Sequence, residues 1–333
     1  MLKQHNMHSI KKLQEIIENE ISVRSEQLKR RIPGNLYLPV NYSLGMGGKR
    51  LRPVFLLLGY NLFHDDVSAV LPAAVAIEVF HNFTLLHDDI MDKADVRRNK
   101  PTAHKKFSEN GAILSGDVMA FLSYKLLLEC KSEKLQETID LFTKTAIEVC
   151  EGQQLDMDFE NRLDVSEEEY LEMIRLKTAV LLACSLKGGA LLGNASDKIA
   201  DYLYLFGLNL GLAFQLQDDL LDTFGNQGSF GKKIGGDILA NKKTFLLIKA
   251  LEKATGKTKS VLIDWLQKTE FPNEEKIAAV TQIYNQLKIK EITEEKIDFY
   301  FQQTVGILQR IPVEEKRKDA LLSLSDIMLN RIK

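Results

Sequence analysis

Apolar residues recur at intervals of three and four along most of the chain, and alternating runs of period two are nearly absent. That spacing predicts an all-α protein. Ile10, Leu13, Ile16, Ile17 and Ile21 lay out an amphipathic first helix. The pattern stops at RIPGNLYLP (31–39), read as a break. It stops again at the glycine-rich SLGMGGKRLRP (43–53), read as a loop from which a new helix starts with Pro53 in its first turn. Further helices are predicted at roughly 53–61, 69–92, 111–130, 133–159, 166–192 and 197–223. Ser166 is the expected N-cap of one of them, with Glu169 completing a capping box. The segment GNQGSFGKKIGGDILAN (225–241) reads as a functional loop, and shorter, more charged helices are expected from 242 to 333. No low-complexity tract or linker interrupts the pattern, so the expectation is a single all-α domain over residues 1–333.

Composition narrows the function classes. Hydrophobic content is 45%, charged content 27% and the formal net charge −2; the first two fit a globular core, and the last argues against a general nucleic-acid binder. Cys130, Cys150 and Cys184 show no CxxC spacing and read as buried small hydrophobes in a reducing cytosol. The N-terminal stretch lacks the apolar run and cleavage site of a signal peptide. The most apolar window, 202–216, contains Asn209 and Gln215 and runs into Asp218. It is expected to be a buried core helix, too short and polar to span a membrane, and the expected location is cytoplasmic.

Two acidic clusters break the apolar helices with the same spacing: Asp88, Asp89 and Asp92, then Asp218, Asp219 and Asp222. On a helix the first and last member of each lie one turn apart on one face. Two carboxylates held together among apolar neighbours repel each other unless a cation joins them. All-oxygen donors, few per ion, with room left for water and phosphate, are the preference of Mg²⁺. His81 and His87 are six apart, on different helix faces, and do not suggest a shared metal. Around the acids stand Lys49, Arg50 and Arg52, then Arg97 and Arg98, then Lys177, and after the second cluster Lys232, Lys233, Lys242 and Lys243. Carboxylates for Mg²⁺ combined with arginine forks and lysines describe sites for diphosphate groups. GMGGK lacks the P-loop spacing, so a nucleotide phosphatase is a poor fit.

These stretches resemble the trans-prenyl diphosphate synthases, the farnesyl and geranylgeranyl diphosphate synthase family. The resemblance runs from about residue 10 to 330 and rests on GGKRLRP, DDIMDKADVRR, GQQLD, KT at 177–178, FQLQDD, DDLLDTFGNQGSFGKKIGGD and NKKT, in the family's order. It implies a helical fold around a deep cavity, a homodimer, and about three Mg²⁺ ions per site, with Mn²⁺ as a substitute. Asp88, Asp92 and Asp218 would hold the metal, supported by Asp89 and Asp222, with Asp219 also among the catalytic residues. Arg97, Lys177, Lys233 and Lys242 would bind the allylic diphosphate, and Lys49, Arg52, His81 and Arg98 that of isopentenyl diphosphate. The Lys177 carbonyl, the Thr178 hydroxyl and the Gln215 amide oxygen would face the allylic carbocation.

Two other classes share parts of this pattern. A class I terpene cyclase needs no second diphosphate pocket like that of Lys49 and Arg52 and usually carries a different second metal motif. A non-catalytic subunit of a heteromeric synthase typically loses one acidic cluster. Product length is the finer question. Thr84, Phe83 and Phe80 precede Asp88 by four, five and eight residues, roughly 6, 7.5 and 12 Å along a helix. An aromatic at five but not four before the motif resembles the archaeal-type geranylgeranyl synthases, while Phe80 adds a second ring that could shorten the chain. The expectation is a product of fifteen to twenty carbons, leaning to twenty.

Overall fold

The computed structural model describes residues 8–225 and 234–329. Lys232 and Lys233, named above, lie outside them. The helical expectation holds. In chain order the first elements are α1 (Ile10–Lys29), α2 (Gly34–Leu44), α3 (Leu51–Asn61) and α4 (Leu71–Met91), the last preceded by a 3-10 turn at Ser68–Val70. Then follow α5 (Ala103–Lys106), α6 (Glu109–Leu127), α7 (Leu135–Phe159), α8 (Glu167–Ile174), α9 (Val180–Leu192) and α10 (Asp197–Phe224). Helices at Gly236–Leu239, Phe245–Lys253, Gly256–Gln267, Asn273–Gln286, Ile289–Gln309 and Glu315–Leu329 complete the described chain.

The contacts sort into two compact units. The first comprises residues 1–143, 184–204 and 312–321. Its centre is α4, where Ala73, Ala74, Val75, Ala76, Ile77, Val79 and Phe80 are all buried. A helix apolar all round belongs inside a core, and α4 is covered by α6, α3, α1 and α2. The second unit comprises 144–183, 205–311 and 322–333. Along α10, Phe206, Leu210, Ala213, Leu216 and Leu220 are buried at helical spacing, and Phe245, Leu246, Leu247 and Ile248 bury the start of a later helix of that unit.

Four local features differ from the sequence expectations. The stretch 31–39 is not a break throughout: Pro33 caps α2 in an extended conformation, and Pro39 lies inside the helix. Burial of Tyr37, Val40 and Leu44 outweighs the single donor that Pro39 lacks. A two-residue ribbon pairs Val96–Arg97 with Lys100–Pro101, its turn made by Arg98 and Asn99 at φ +51° and +59°. Two positive-φ residues at a tight turn match the twist of paired strands. The predicted helix 166–192 is interrupted by a π-turn at Arg175–Ala179. Finally, Cys130 and Cys184 are buried, but Cys150 is exposed, because its position on α7 faces away from the core of its unit.

Helix Ser68–Met91 and helix Asp197–Phe224 are long and apolar enough to cross a membrane by length and composition alone, the second being much longer than its most apolar window. Of their most apolar stretches 61% and 50% is buried inside the protein, and they are core helices. The expected capping box is present: the Ser166 hydroxyl accepts the Glu169 N–H, and the Glu169 carboxylate accepts the Ser166 N–H.

Candidate active site

In the first unit the acidic cluster closes α4. Asp88 and Asp89 lie in its last turn, and Asp92 is the C-cap, its N–H donating to the Asp88 carbonyl. No basic residue occupies that turn, so three carboxylates sit at the helix end where the macrodipole is already negative. The arrangement favours a cation. The three acids are not equivalent. Asp89 is buried, and Arg97 from the ribbon donates Nε–H to its Oδ1 at 2.7 Å while reaching Asp88 Oδ2 at 3.4 Å. Burial raises the Asp89 pKa, and Arg97 opposes the rise. Asp88 is half-buried and Asp92 exposed, so the outer pair, one turn apart, is the accessible one.

Beside this cluster lies a group of cations. Arg50 begins α3 in a left-handed conformation (φ +48°) and turns inward. Its guanidinium donates to Glu78 Oε1 (2.6 Å), Glu18 Oε1 (2.7 Å) and the Leu44 carbonyl (2.7 Å). Arg50 is therefore committed to the fold, and Arg52 is half-buried. Arg52 meets His81 Nε2 at 3.0 Å. A guanidinium can only donate, so Nε2 accepts and the neutral ring carries its proton on Nδ1. Burial first, then Arg52, Arg98, Arg97 and Arg50, hold the His81 pKa well below its usual value. Arg98 lies flat on the loop of Lys49. A Cβ on Gly48, whose φ is +138°, would stand 2.6 Å from its Nη1, so only glycine permits that approach. Lys49, Arg52, His81 and Arg98 thus occupy one neighbourhood, although they span fifty residues of sequence.

Further down α4, Phe80 is buried and Phe83 half-buried, their ring centroids 5.4 Å apart. Phe142 meets Phe80 edge-on at 5.1 Å, Tyr124 meets Phe142 at 5.1 Å, and His87 meets Phe83 at 4.9 Å. The Thr84 hydroxyl is bound back to the His81 carbonyl. Phe142 and Tyr124 were not singled out from the sequence; more than forty residues from Phe80, they carry no local signal.

In the second unit the other acidic cluster ends α10, again with no basic residue in the last turn. Asp218 and Asp222 are half-buried. Asp222 Oδ2 accepts the Asp237 N–H (2.9 Å), and its carbonyl accepts the Gly235 N–H (2.7 Å). Asp219 is buried and accepts from the Tyr170 hydroxyl (2.5 Å), Gln215 Nε2 (3.2 Å) and the Phe245 N–H (3.3 Å). Burial, with Asp237 adding to it, pushes its pKa up to about 7. Among the described residues no three His, Cys, Asp or Glu side chains converge closely enough to enclose a cation. The donors at each helix end are hard carboxylate oxygens, few in number. That set fits Mg²⁺, which keeps several waters and takes phosphate oxygens, and does not fit an all-protein cage.

A small cavity of this unit collects Asp156, Tyr170, Lys177, Thr178, Gln215, Asp219 and Lys242. The π-turn builds one wall: its widened ring bonds the Val180 N–H to the Arg175 carbonyl, and such turns recur at functional sites because they break the regular carbonyl ladder. Gly152 lets α7 press against it. A Cβ there would stand 2.3 Å from the Lys177 backbone nitrogen. One turn later Asp156 accepts from Lys177 Nζ at 2.6 Å. The Thr178 hydroxyl donates to Gln215 Oε1 at 3.2 Å. Lys243 is turned away, its ammonium bonded to the carbonyls of Glu160 and Asn241, while Lys242 stays exposed.

Comparison with known proteins identifies the pattern. Residues 33–287 match the polyprenyl synthetase family model. The chain is 40% identical over 309 residues to the geranylgeranyl diphosphate synthase of Methanosarcina mazei, covering 90% of each chain. It is also 40% identical over 267 residues to a geranylfarnesyl diphosphate synthase of Natronomonas pharaonis, covering 75% of this chain and 77% of that one. Among solved structures it is similar, with a TM-score of 0.88 and 27% identity, to the geranylgeranyl pyrophosphate synthase of Corynebacterium glutamicum complexed with isoprenyl diphosphate and magnesium, covering 97% and 100% of the two chains. The chain belongs to the polyprenyl synthetase family and is a trans-prenyltransferase, an isoprenyl diphosphate synthase.

Proposed function

We propose that this enzyme joins isopentenyl diphosphate head to tail to an allylic diphosphate, with Mg²⁺, and stops at geranylgeranyl diphosphate, with farnesyl diphosphate as the next candidate. The observation that carries it is the pair of acidic helix ends, each set beside cations and neither relieved by a basic residue in its own last turn. The C. glutamicum relative, solved with magnesium and isoprenyl diphosphate, supports the ligand class. In this reading Asp88, Asp92 and Asp218 hold Mg²⁺, which supplies Lewis-acid neutralisation of the leaving diphosphate. Arg97, Lys177, Lys233 and Lys242 hold that diphosphate and take up the charge that grows on it as its C–O bond breaks. Lys177 would exchange Asp156 for a phosphate oxygen. Lys49, Arg52, His81 and Arg98 hold the diphosphate of isopentenyl diphosphate, to which neutral His81 offers a ring N–H. The Lys177 carbonyl, Thr178 and Gln215 present oxygen to the allylic cation, and apolar walls keep water from it. The isopentenyl double bond attacks the cation, a C–C bond forms, and the proton lost goes to the departed diphosphate.

The enzyme acts as a single catalytic domain, as a homodimer and in the cytoplasm. Relatives of equal identity carry names for products of different length, so family membership does not set the length. The rings of Phe80 and Phe83 on α4, with Phe142 of α7 against Phe80, support a short chain. Incubation of the purified protein with Mg²⁺, isopentenyl diphosphate and labelled allylic primers, followed by product sizing, tests the proposal. A twenty-carbon main product is expected; products of thirty carbons or more would defeat the length assignment, and no product would defeat the activity.

A further inference from the structure

We propose that Tyr170 and Asp219 are positioning residues that fix which end of the Gln215 amide faces the reaction. The proposal rests on the reading of Thr178 and Gln215 as groups that face the allylic cation. An amide side chain has a carbonyl end that attracts a cation and an NH₂ end that repels it, and rotation about its last bond exchanges them. In a cavity bordered by an oxygen on one side only, either orientation is available. Here it is not. In its ionised form Asp219 offers only acceptor oxygens to Gln215, and its Oδ1 stands 3.2 Å from Nε2; that form assigns the NH₂ end, and Oε1 is left to face Thr178, whose hydroxyl donates to it at 3.2 Å. Had the amide been reversed, a carboxylate oxygen would oppose a carbonyl oxygen inside the protein, with no donor between them.

Asp219 can impose this because it is itself held. Its Oδ2 accepts the Tyr170 hydroxyl at 2.5 Å and, more distantly, the Phe245 N–H at 3.3 Å. Tyr170 is buried, with 1% of its surface exposed, and its ring lies against Phe245 with centroids 6.2 Å apart. The relay Tyr170, Asp219, Gln215, Thr178 therefore runs from the rigid start of α8 to the π-turn. Without the Tyr170 hydroxyl, Asp219 keeps only its weakest anchor, its carboxylate turns, and the Gln215 amide samples both orientations.

The test is a double-mutant cycle read in single-turnover condensation, where product release does not mask the chemical step. Tyr170→Phe is expected to slow that step about tenfold while the KM of both diphosphates and the Mg²⁺ half-saturation stay within about twofold, a split that general loosening of the site would not give. In a Gln215→Met background the same change is expected to have no further effect. A full-speed Tyr170→Phe enzyme, or an undiminished effect in the Gln215→Met background, overturns the proposal. If Gln215→Met and Thr178→Val both leave the rate unchanged, it is the underlying cation-facing reading that fails. Should Tyr170→Phe not fold, exchange of the Gln215 side-chain amide protons in the unaltered protein decides: slow exchange is expected, and exchange as fast as that of free glutamine overturns the assignment.

Discussion

At the scale of single residues, the two acidic clusters divide labour by burial. Asp89 and Asp219 are buried and bound to protein donors, whereas Asp88 and Asp218 keep part of their surface open. Asp88→Ala or Asp218→Ala should therefore lower turnover by several orders of magnitude and leave the helical circular dichroism spectrum unchanged; near-normal activity in either would remove the metal assignment. The spacing of the acids was legible in the sequence, but which member of each trio turns inward was not, since burial depends on partners such as Arg97 and Tyr170 that no periodicity reveals. The same holds for KRLR: the letters do not say that Arg50 is consumed by Glu18 and Glu78 while Arg52 meets His81. His81 allows a prediction about pH. Its pKa in the folded protein lies well below the ordinary 6.5, so below about pH 6.5 the unfolded chain takes up a proton that the folded chain refuses. The unfolded state then binds more protons, and stability falls as pH falls, by up to about 1.4 kcal/mol per pH unit for this one group. His81→Gln should flatten the decline of melting temperature between pH 6.5 and 5, and an unchanged slope would show that His81 is not its source.

At the scale of elements, what was legible is what repeats at helical spacing. The helices, the Ser166 capping box and the shared face of Phe80 and Phe83 all follow from local pattern. The π-turn does not, because MIRLKTAVLL keeps an apolar rhythm straight through it. It sits where α7 approaches most closely, at Gly152, a tertiary contact that no local pattern carries. Gly152→Ala should force α7 away from Lys177, destabilise the protein by about 1–3 kcal/mol as an overpacked site, and raise the KM of the allylic substrate by displacing the turn that carries Lys177; denaturant melts and steady-state kinetics measure both, and an unchanged KM would mean that the turn tolerates the shift. On α4 the rings give a second outcome. Phe83→Ala opens space beside a half-buried position and should lengthen the product by one isoprene unit, and Phe80→Ala added to it should lengthen it further, because Phe142 then loses its edge-on partner. Product sizing decides, and unchanged length in the double variant would place the chain-length stop on another element.

At the scale of the whole molecule, each compact unit carries one acidic helix end and its own set of cations, and the sequence announces this only through two copies of DDxxD lying 130 residues apart. In the first unit Arg52 adjoins His81, and Arg98 rests on the glycine loop of Lys49; in the second, Lys242 borders the cavity of Lys177 and Thr178. In the proposed reading Arg52 and Arg98 of the first unit meet isopentenyl diphosphate, and Lys242 of the second meets the allylic diphosphate. Both diphosphates carry the same charge, so bulk electrostatics cannot tell them apart, and discrimination must come from which cations each one meets at hydrogen-bond distance. Arg52→Ala and Arg98→Ala should chiefly raise the KM of isopentenyl diphosphate, each by about ten- to a hundredfold for the loss of one charge-assisted contact, and leave the allylic KM within about twofold. Lys242→Ala should do the reverse. The comparison is internal, because a general loss of stability or of Mg²⁺ would move both constants together in all three variants. Steady-state titration of each substrate against saturating levels of the other reads the separation directly. Equal shifts of both constants in the first-unit and second-unit variants alike would mean that the diphosphates share their cations and that the two-pocket division is wrong.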